Sequence, residues 1–308
     1  MKKRVSPVLA LPVLTLALVA MALMPLSASA ASHPPTTPTT PTQHQKHSHH
    51  KPHFFFKRSK MRPNVSSNLI YNGGPVMGGT TNVYAIFWEP TGAVSANYNS
   101  LILRYFGDVG GSGLYNINTQ YTDSGGNAPS NTQLAGSWVD TSAYPETPLL
   151  DSDIQNEVSN AQSANGWSSS IDNIFFVFTE QNTDLCFDSS QTQCASNTFC
   201  AYHNYFGSNT IYAAMPYAAS FSCQTPGSPN NDDADLTINV TSHEQMEAAT
   251  DPLLNAWSDS SGQENGDKCA WNFGNVNPDG SNVNWNGDPY IVQQEWDNVI
   301  SGCALTGP

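Results

Sequence analysis

Six cysteines, all in the second half of the chain, restrict most strongly what this sequence can fold into. They lie at Cys186, Cys194, Cys200, Cys223, Cys269 and Cys303. An even number of cysteines in an exported chain indicates three disulfides. The zinc-thiolate alternative requires Cys-x2-Cys pairs, which this sequence lacks. The spacing favours pairing within 186–223 and a separate Cys269–Cys303 bridge, and so predicts a disulfide-bonded fold.

Residues 1–30 have the pattern of a cleavable signal peptide. A basic start, MKKR, precedes an apolar run that ends in Ala28-Ser29-Ala30, a small-residue cleavage site. An uncleaved membrane anchor is the alternative, because the run is long. Pro12 and Pro25 interrupt it, which favours cleavage. No later segment is apolar enough to span a bilayer, and the sequence therefore predicts a secreted, extracellular protein.

Residues 31–63 form a tract rich in Pro, Thr and His. The tract holds six of the eight histidines and no acidic residue. Without hydrophobic periodicity it cannot bury a core, and we expect a disordered linker. Loose metal binding by its histidines is an alternative to a merely solvated tract. Lys57-Arg58 is also a candidate processing site, which would make 31–58 a short pro-segment.

Residues 64–308 are expected to form a single globular domain of strongly acidic character. All 25 Asp and Glu residues lie here against two basic ones, Arg104 and Lys268, so the formal charge of this part is −23. The electrostatic field of this negative charge repels nucleic acid and anionic membranes, and neither is expected as a partner. Carboxylate repulsion also predicts that the domain is more stable near pH 5 than at pH 7.

Local patterns in this domain predict a mixed α/β (α+β) fold. Apolar or alternating segments predict strands at 82–89, 114–122, 133–139, 173–179 and 210–217. Helical spacing and caps predict helices at 95–109, at 151–164, and from within 235–242 to about 250. We expect a mixed sheet covered by helices, zincin-like in element order, with a loop-rich, disulfide-tied tail after 255.

One segment, His243-Glu244-Gln245-Met246-Glu247, carries the pattern of a metal site. H-E-x-x-E differs in one residue from the H-E-x-x-H of zinc peptidases. Residues i and i+4 share a helix face, so His243 and Glu247 could bind one Zn²⁺. Glu244 would then lie beside the open coordination position, where it could act as general base toward a metal-activated water.

A third ligand must come from elsewhere in the chain. We favour Glu264, which lies at a separation comparable to that of the distant Glu ligand of some zincins. Asp267 on the same loop and His203, the domain's other histidine, are the alternatives.

Two simpler interpretations compete with metal binding. Thr241-x-x-Glu244 fits a capping box, which would explain Glu244 as the start of a helix. Asp232-Asp233-Ala234-Asp235 could bind Ca²⁺, but it lacks the spacing of a calcium loop, and an acidic helix cap is favoured.

Three short blocks resemble the phosphate-induced protein 1 (EXORDIUM-like) family. They are Ile70–Pro75 (IYNGGP), Phe199–His203 (FCAYH) and Thr250–Trp257 (TDPLLNAW), together with the late Cys303. The resemblance implies an exported protein of the cell-wall space. Plant members of the family have no established activity and lack the His-Glu pair found here at His243 and Glu244.

Together these features predict a secreted zinc-dependent peptidase that hydrolyses a polypeptide substrate. Zinc would be held by His243, Glu247 and Glu264, with Glu244 as the base. The alternative is a noncatalytic extracellular protein that binds wall or matrix components through an inactive zincin-like scaffold.

Overall fold

The computed structural model describes residues 51–61 and 67–308. The predicted signal peptide at 1–30 and most of the tract at 31–63 lie outside these residues. Within the described part of the chain, no helix is both long and apolar enough to cross a membrane.

The described residues form an α/β structure of short and medium elements. The strands are β1 (His53–Phe56), β2 (Ile70–Tyr71), β3 (Gly79–Trp88), β4 (Pro129–Asp140), β5 (Leu149–Leu150), β6 (Asn173–Thr179), β7 (Leu185–Cys186), β8 (Phe199–Phe206), β9 (Thr210–Met215), β10 (Trp257–Ser258), β11 (Val283–Trp285), β12 (Asp288–Tyr290), β13 (Glu295–Asp297) and β14 (Gly302–Ala304). The α-helices are α1 (Tyr98–Asp108), α2 (Gly113–Asn116), α3 (Asp151–Asn165) and α4 (Ala234–Thr250).

A six-stranded mixed sheet organises the fold, in the order β1-β8-β9-β6-β3-β4. The four strands from β9 to β4 run parallel, whereas β8 is antiparallel to β9 and β1 is antiparallel to β8. Every residue of β6 is buried, as expected for a central strand covered on both faces. The prediction of a mixed sheet covered by helices is confirmed at this level.

Helices cover both faces of the sheet. Tyr202 on β8 and Tyr212 on β9 donate hydrogen bonds to Asp151, the first residue of α3. His203, the next residue on β8, lies instead against Glu244 of α4. Because successive strand residues point to opposite faces, α3 and α4 cover opposite sides of the sheet. Helix α1 lies on the α4 side, where Tyr98 and Tyr105 hydrogen-bond to that helix.

The expectation that 31–63 is a disordered linker is wrong for residues 53–56. They form β1, with Phe54 and Phe55 buried in the core and a register that pairs His53 with His203. Three consecutive phenylalanines supply the apolar area that the surrounding tract lacks, and the edge of β8 supplies backbone partners.

The strand predicted at 114–122 is also wrong, because that segment is helical. It forms α2 and a 3₁₀ turn at Ile117–Gln120. The Ser112 side chain accepts a hydrogen bond from the Tyr115 backbone, which caps this short helix.

The six cysteines form three disulfides, as the sequence predicts. The pairs are Cys186–Cys194, Cys200–Cys223 and Cys269–Cys303. The last of these connects the loop after α4 to β14 near the end of the chain. Within the described residues, the tail after 255 contains short two-stranded pairings and a 3₁₀ turn at Asp267–Cys269, so this bridge constrains it strongly.

Replacing Cys269 and Cys303 together by Ser is expected to lower the free energy of unfolding by about 3 kcal/mol. The two cysteines are 34 residues apart, and opening a loop of that size restores entropy to the unfolded chain. The Cys186–Cys194 pair spans 8 residues and should cost about 1 kcal/mol less when removed. Urea unfolding of both double variants tests this, and an unchanged midpoint for the first would contradict it.

Candidate metal centre

Helix α4 is buried along its whole length yet carries many polar residues. A helix buried on all sides is normally apolar. Here His243, Glu244 and Glu247 are each 0% exposed. Buried charges of this kind occur in proteins where they pair with other charges or bind a metal.

His243 and Glu247 face each other one turn apart, as the H-E-x-x-E spacing predicts. Nε2 of His243 lies 3.2 Å from Oε2 of Glu247. The other oxygen of Glu247 accepts a hydrogen bond from the Asp267 backbone at 2.9 Å. Nδ1 of His243 lies 3.0 Å from Nε2 of Gln293. Contacts behind both side chains therefore fix their orientation. The Gln293 amide nitrogen also donates to the Gly266 carbonyl, so Nδ1 of His243 accepts from it.

Gly266 allows the 264–267 loop to approach α4 closely. A Cβ atom at this position would lie 2.6 Å from Nδ1 of His243 and 3.0 Å from Oε1 of Glu247. Only glycine leaves room for both side chains here.

All three candidates for the third ligand lie in the same cluster. Nδ1 of His203 is 3.1 Å from Oε2 of Glu244, and its Nε2 is 3.8 Å from Oε2 of Glu264. Oδ1 of Asp267 lies 4.0 Å from Nε2 of His243. The turn after α4 thus brings Glu264 and Asp267 back to the helix, while β8 supplies His203 from the sheet.

A further residue of the cluster is His53 on β1, which the sequence places in the tract at 31–63 and offers only for loose metal binding. Its Nδ1 lies 2.7 Å from Oε1 of Glu264, and its Nε2 lies 2.6 Å from Oδ2 of Asp267. The sequence feature that indicates a strand here is the run His53-Phe54-Phe55-Phe56, which favours β-structure inside a polar tract.

Several ligand-type atoms in the cluster are buried and make no hydrogen bond to the described residues. They are His203 Nε2, His243 Nε2, Glu244 Oε1, Glu247 Oε2 and Glu264 Oε2. Each unsatisfied buried polar atom costs about 1–3 kcal/mol. Nitrogen and carboxylate oxygen atoms are suitable zinc ligands, and a cation among them would remove this cost.

In this cluster, two sets of three ligand atoms lie within 4.8 Å of one another. One set comes from His53, Glu247 and Asp267, and the other from His203, Glu244 and Glu247. The predicted set of His243, Glu247 and Glu264 is not one of these compact sets, although it shares Glu247 with both. The arrangement thus offers more potential ligands than one zinc ion uses.

The carboxylates and imidazoles of the cluster shift one another's pKa. Burial raises the pKa of Glu244, and the charge of Glu247 raises it further. Burial likewise raises the pKa of Glu264, although the neighbouring His53 opposes the effect. For His53, burial lowers the pKa, but the carboxylates of Glu264, Glu247 and Asp267 outweigh it, so the pKa lies well above its usual value.

The capping-box interpretation of Glu244 is wrong. Helix α4 begins at Ala234, so Thr241 is an interior residue whose hydroxyl donates to the Thr237 carbonyl. The acidic segment at 232–235 supplies the helix start instead, since Asp232 accepts from the Ala234 backbone. Asp235 accepts hydrogen bonds from Ser228 and Asn230. Among the described residues, none of the groups whose ligand atoms are close enough to hold a metal ion includes these aspartates.

Comparison of the chain with protein-family models, with curated proteins and with solved structures gives no match. The chemistry of this centre is therefore inferred from the side chains that α4, β8, β1 and the 264–267 loop bring together.

Proposed function

We propose that the chain is an extracellular zinc-dependent peptidase whose metal is held by His243, Glu247 and Glu264. Three disulfides are compatible with work outside the cytoplasm. The helix that carries H-E-x-x-E packs against a mixed sheet, and the comparison with zincins is an analogy of architecture that supports the proposal.

The observation that carries the proposal is the set of unsatisfied ligand atoms around α4. His243 Nε2, Glu247 Oε2 and Glu264 Oε2 are all buried, and none of them makes a hydrogen bond within the described residues. His53, whose pKa is raised, supplies one positive charge beside Glu264 and Asp267, and the other buried carboxylates of the cluster would be expensive without a further cation.

The residues around the metal would have separate roles. Bound zinc polarises a carbonyl and makes a coordinated water acidic. Oε2 of Glu244 is held by His203, while its Oε1 makes no hydrogen bond to the described residues. This second oxygen is available to accept the proton of an attacking water and to pass it to the leaving amine.

Zinc content is the direct test. After stripping with a chelator and reloading, the full chain should bind about one equivalent of zinc, measured by elemental analysis after gel filtration. Glu247→Gln should reduce the zinc affinity by at least tenfold, because a neutral amide replaces a charged ligand.

Glu157→Gln provides the matched control. Glu157 is also a buried glutamate with an unsatisfied oxygen, but it lies on α3, across the sheet from α4. This variant should bind zinc like the wild type. No zinc in the wild type, or equal loss in both variants, would contradict the proposal and favour a noncatalytic matrix-binding protein.

A further inference from the structure

Strand β1 covers the proposed site at the edge of the sheet. It pairs with β8 in antiparallel register, with Phe55 opposite Ala201 and His53 opposite His203. Without β1, β8 would be the edge strand and would expose a row of unpaired backbone groups. Such an edge is a ready template for an extended polypeptide.

The side chain of Phe55 lies directly on the metal-site helix. Its ring stacks on the His243 ring at a centroid distance of 3.8 Å and on the Trp271 ring at 4.6 Å. Phe55 is 0% exposed, so it fills an aromatic pocket completely. The Trp271 indole also donates to the Phe56 carbonyl at 3.0 Å, which holds the strand backbone in place.

With β1 in this position the site is closed to any polymer. His203, His243, Glu244 and Glu247 are 0% exposed, and Glu264 is 1% exposed. His53 also contacts the two loop carboxylates, Glu264 and Asp267. A polypeptide substrate can reach the metal ligands only after β1 has left.

The chain shortly after β1 is accessible. Arg58, Ser59, Lys60 and Met61 are exposed immediately after Lys57, so a protease can reach this basic turn. A cleft of about 310 Å³ adjoins β1 and is lined by residues that include His53, Asp251 and Ser261. Open space therefore remains beside the four residues of β1.

We propose that the edge of β8 binds an extended polypeptide with an aromatic side chain in the Phe55 pocket, and that residues 53–56 occupy this site as a built-in ligand. This inference rests on the proposed function, because it identifies the class of substrate for the same centre. Cleavage at Lys57-Arg58 releases the built-in ligand and opens the site.

Nicking of the folded full chain with trypsin tests the proposal. Among the basic residues that the structure describes, those of the exposed turn at 58–60 should be cut first, since Arg104 is engaged with Asp288 and Lys268 is buried. After gel filtration, mass spectrometry should find the fragment ending at Lys57 or Arg58 lost from a protein that circular dichroism shows to be folded. Retention of the fragment until global unfolding would overturn the proposal, since β1 would then be a permanent strand.

A labelled peptide of residues 51–58 should rebind to the nicked protein with one site per chain, measured by fluorescence anisotropy. The Phe55→Ala peptide should bind at least tenfold more weakly, because a buried aromatic anchor is lost. The Phe56→Ala peptide should stay within about threefold of the parent, since Phe56 is only half-buried. Equal binding of all three peptides would overturn the proposal.

A second variant covers the case in which the nicked protein does not stay folded. In the intact chain, Phe55→Ala should speed hydrogen exchange of the β1 backbone amides at least tenfold, because β1 detaches more often. Unchanged exchange would count against the proposal. All these measurements can be made on metal-free protein, so they do not depend on zinc uptake. Peptide binding by a chain that takes up no zinc on reloading would contradict the peptidase and leave the polypeptide site standing.

Discussion

Glu244→Gln is expected to lower peptide hydrolysis by two to four orders of magnitude while zinc remains bound at about one equivalent. Glutamine keeps the shape of the side chain and can still hydrogen-bond to His203, which lies 3.1 Å from the carboxylate. It cannot accept a proton, and loss of a general base typically costs about 10²–10⁴ in rate. The assay uses chain nicked after Arg58, with an extended peptide that carries phenylalanine.

Zinc analysis of the same samples separates this role from metal binding. Glu247→Gln should lose activity together with zinc, whereas Glu244→Gln should lose activity alone. Glu157→Gln, on the opposite face of the sheet, should retain both. Wild-type turnover in Glu244→Gln would exclude the proposed base.

Local sequence was sufficient to predict the pair on α4. The i, i+4 geometry of a helix fixes His243 and Glu247 on one face whatever surrounds them. The structure has them 3.2 Å apart. Likewise, the continuous apolar run at Asn173–Thr179 predicts a central strand, and β6 has those bounds.

Residues from distant parts of the chain could only be given as alternatives. Glu264, Asp267 and His203 were each candidates for one ligand position, and all three lie in the cluster. Their convergence depends on how the loop after α4 folds back and on which strand neighbours α4. The residue pattern of a short segment predicts neither the path of this loop nor the strand that lies beside α4.

His53 was missed for a different physical reason. Its strand is stabilised by pairing with β8, whose partner residue His203 lies 150 positions later, and by burial of neighbouring phenylalanines. The tract around it has the composition of a disordered segment, which outweighed the short apolar run. Tertiary pairing overrides composition when a free sheet edge is available.

The second large effect is a dependence of folding stability on pH, and a single buried side chain accounts for it. Glu157 on α3 is 0% exposed, and its Oε1 makes no hydrogen bond within the described residues. Burial, assisted by the charge of Asp140, raises its pKa from 4.5 to about 8. The folded chain therefore binds this proton more tightly than the unfolded chain. Its contribution to stability is complete below about pH 4.5 and is lost as the pH rises through about 8.

Glu157→Gln should accordingly be more stable than the wild type at pH 8, by about 3–4 kcal/mol, and nearly equal to it at pH 4.5. This difference follows from the size of the pKa shift, because one pKa unit corresponds to about 1.36 kcal/mol, and relaxation around the buried side chain reduces it. Urea unfolding of metal-free protein at both pH values measures the difference. Glu146→Gln, which removes an exposed glutamate, is the control and should change stability little and equally at both pH values.

If the Glu157→Gln and wild-type stability curves run parallel between pH 4.5 and 8, buried Glu157 is not the source of greater stability at acid pH. Repulsion spread over the 25 carboxylates would then have to account for any gain at low pH.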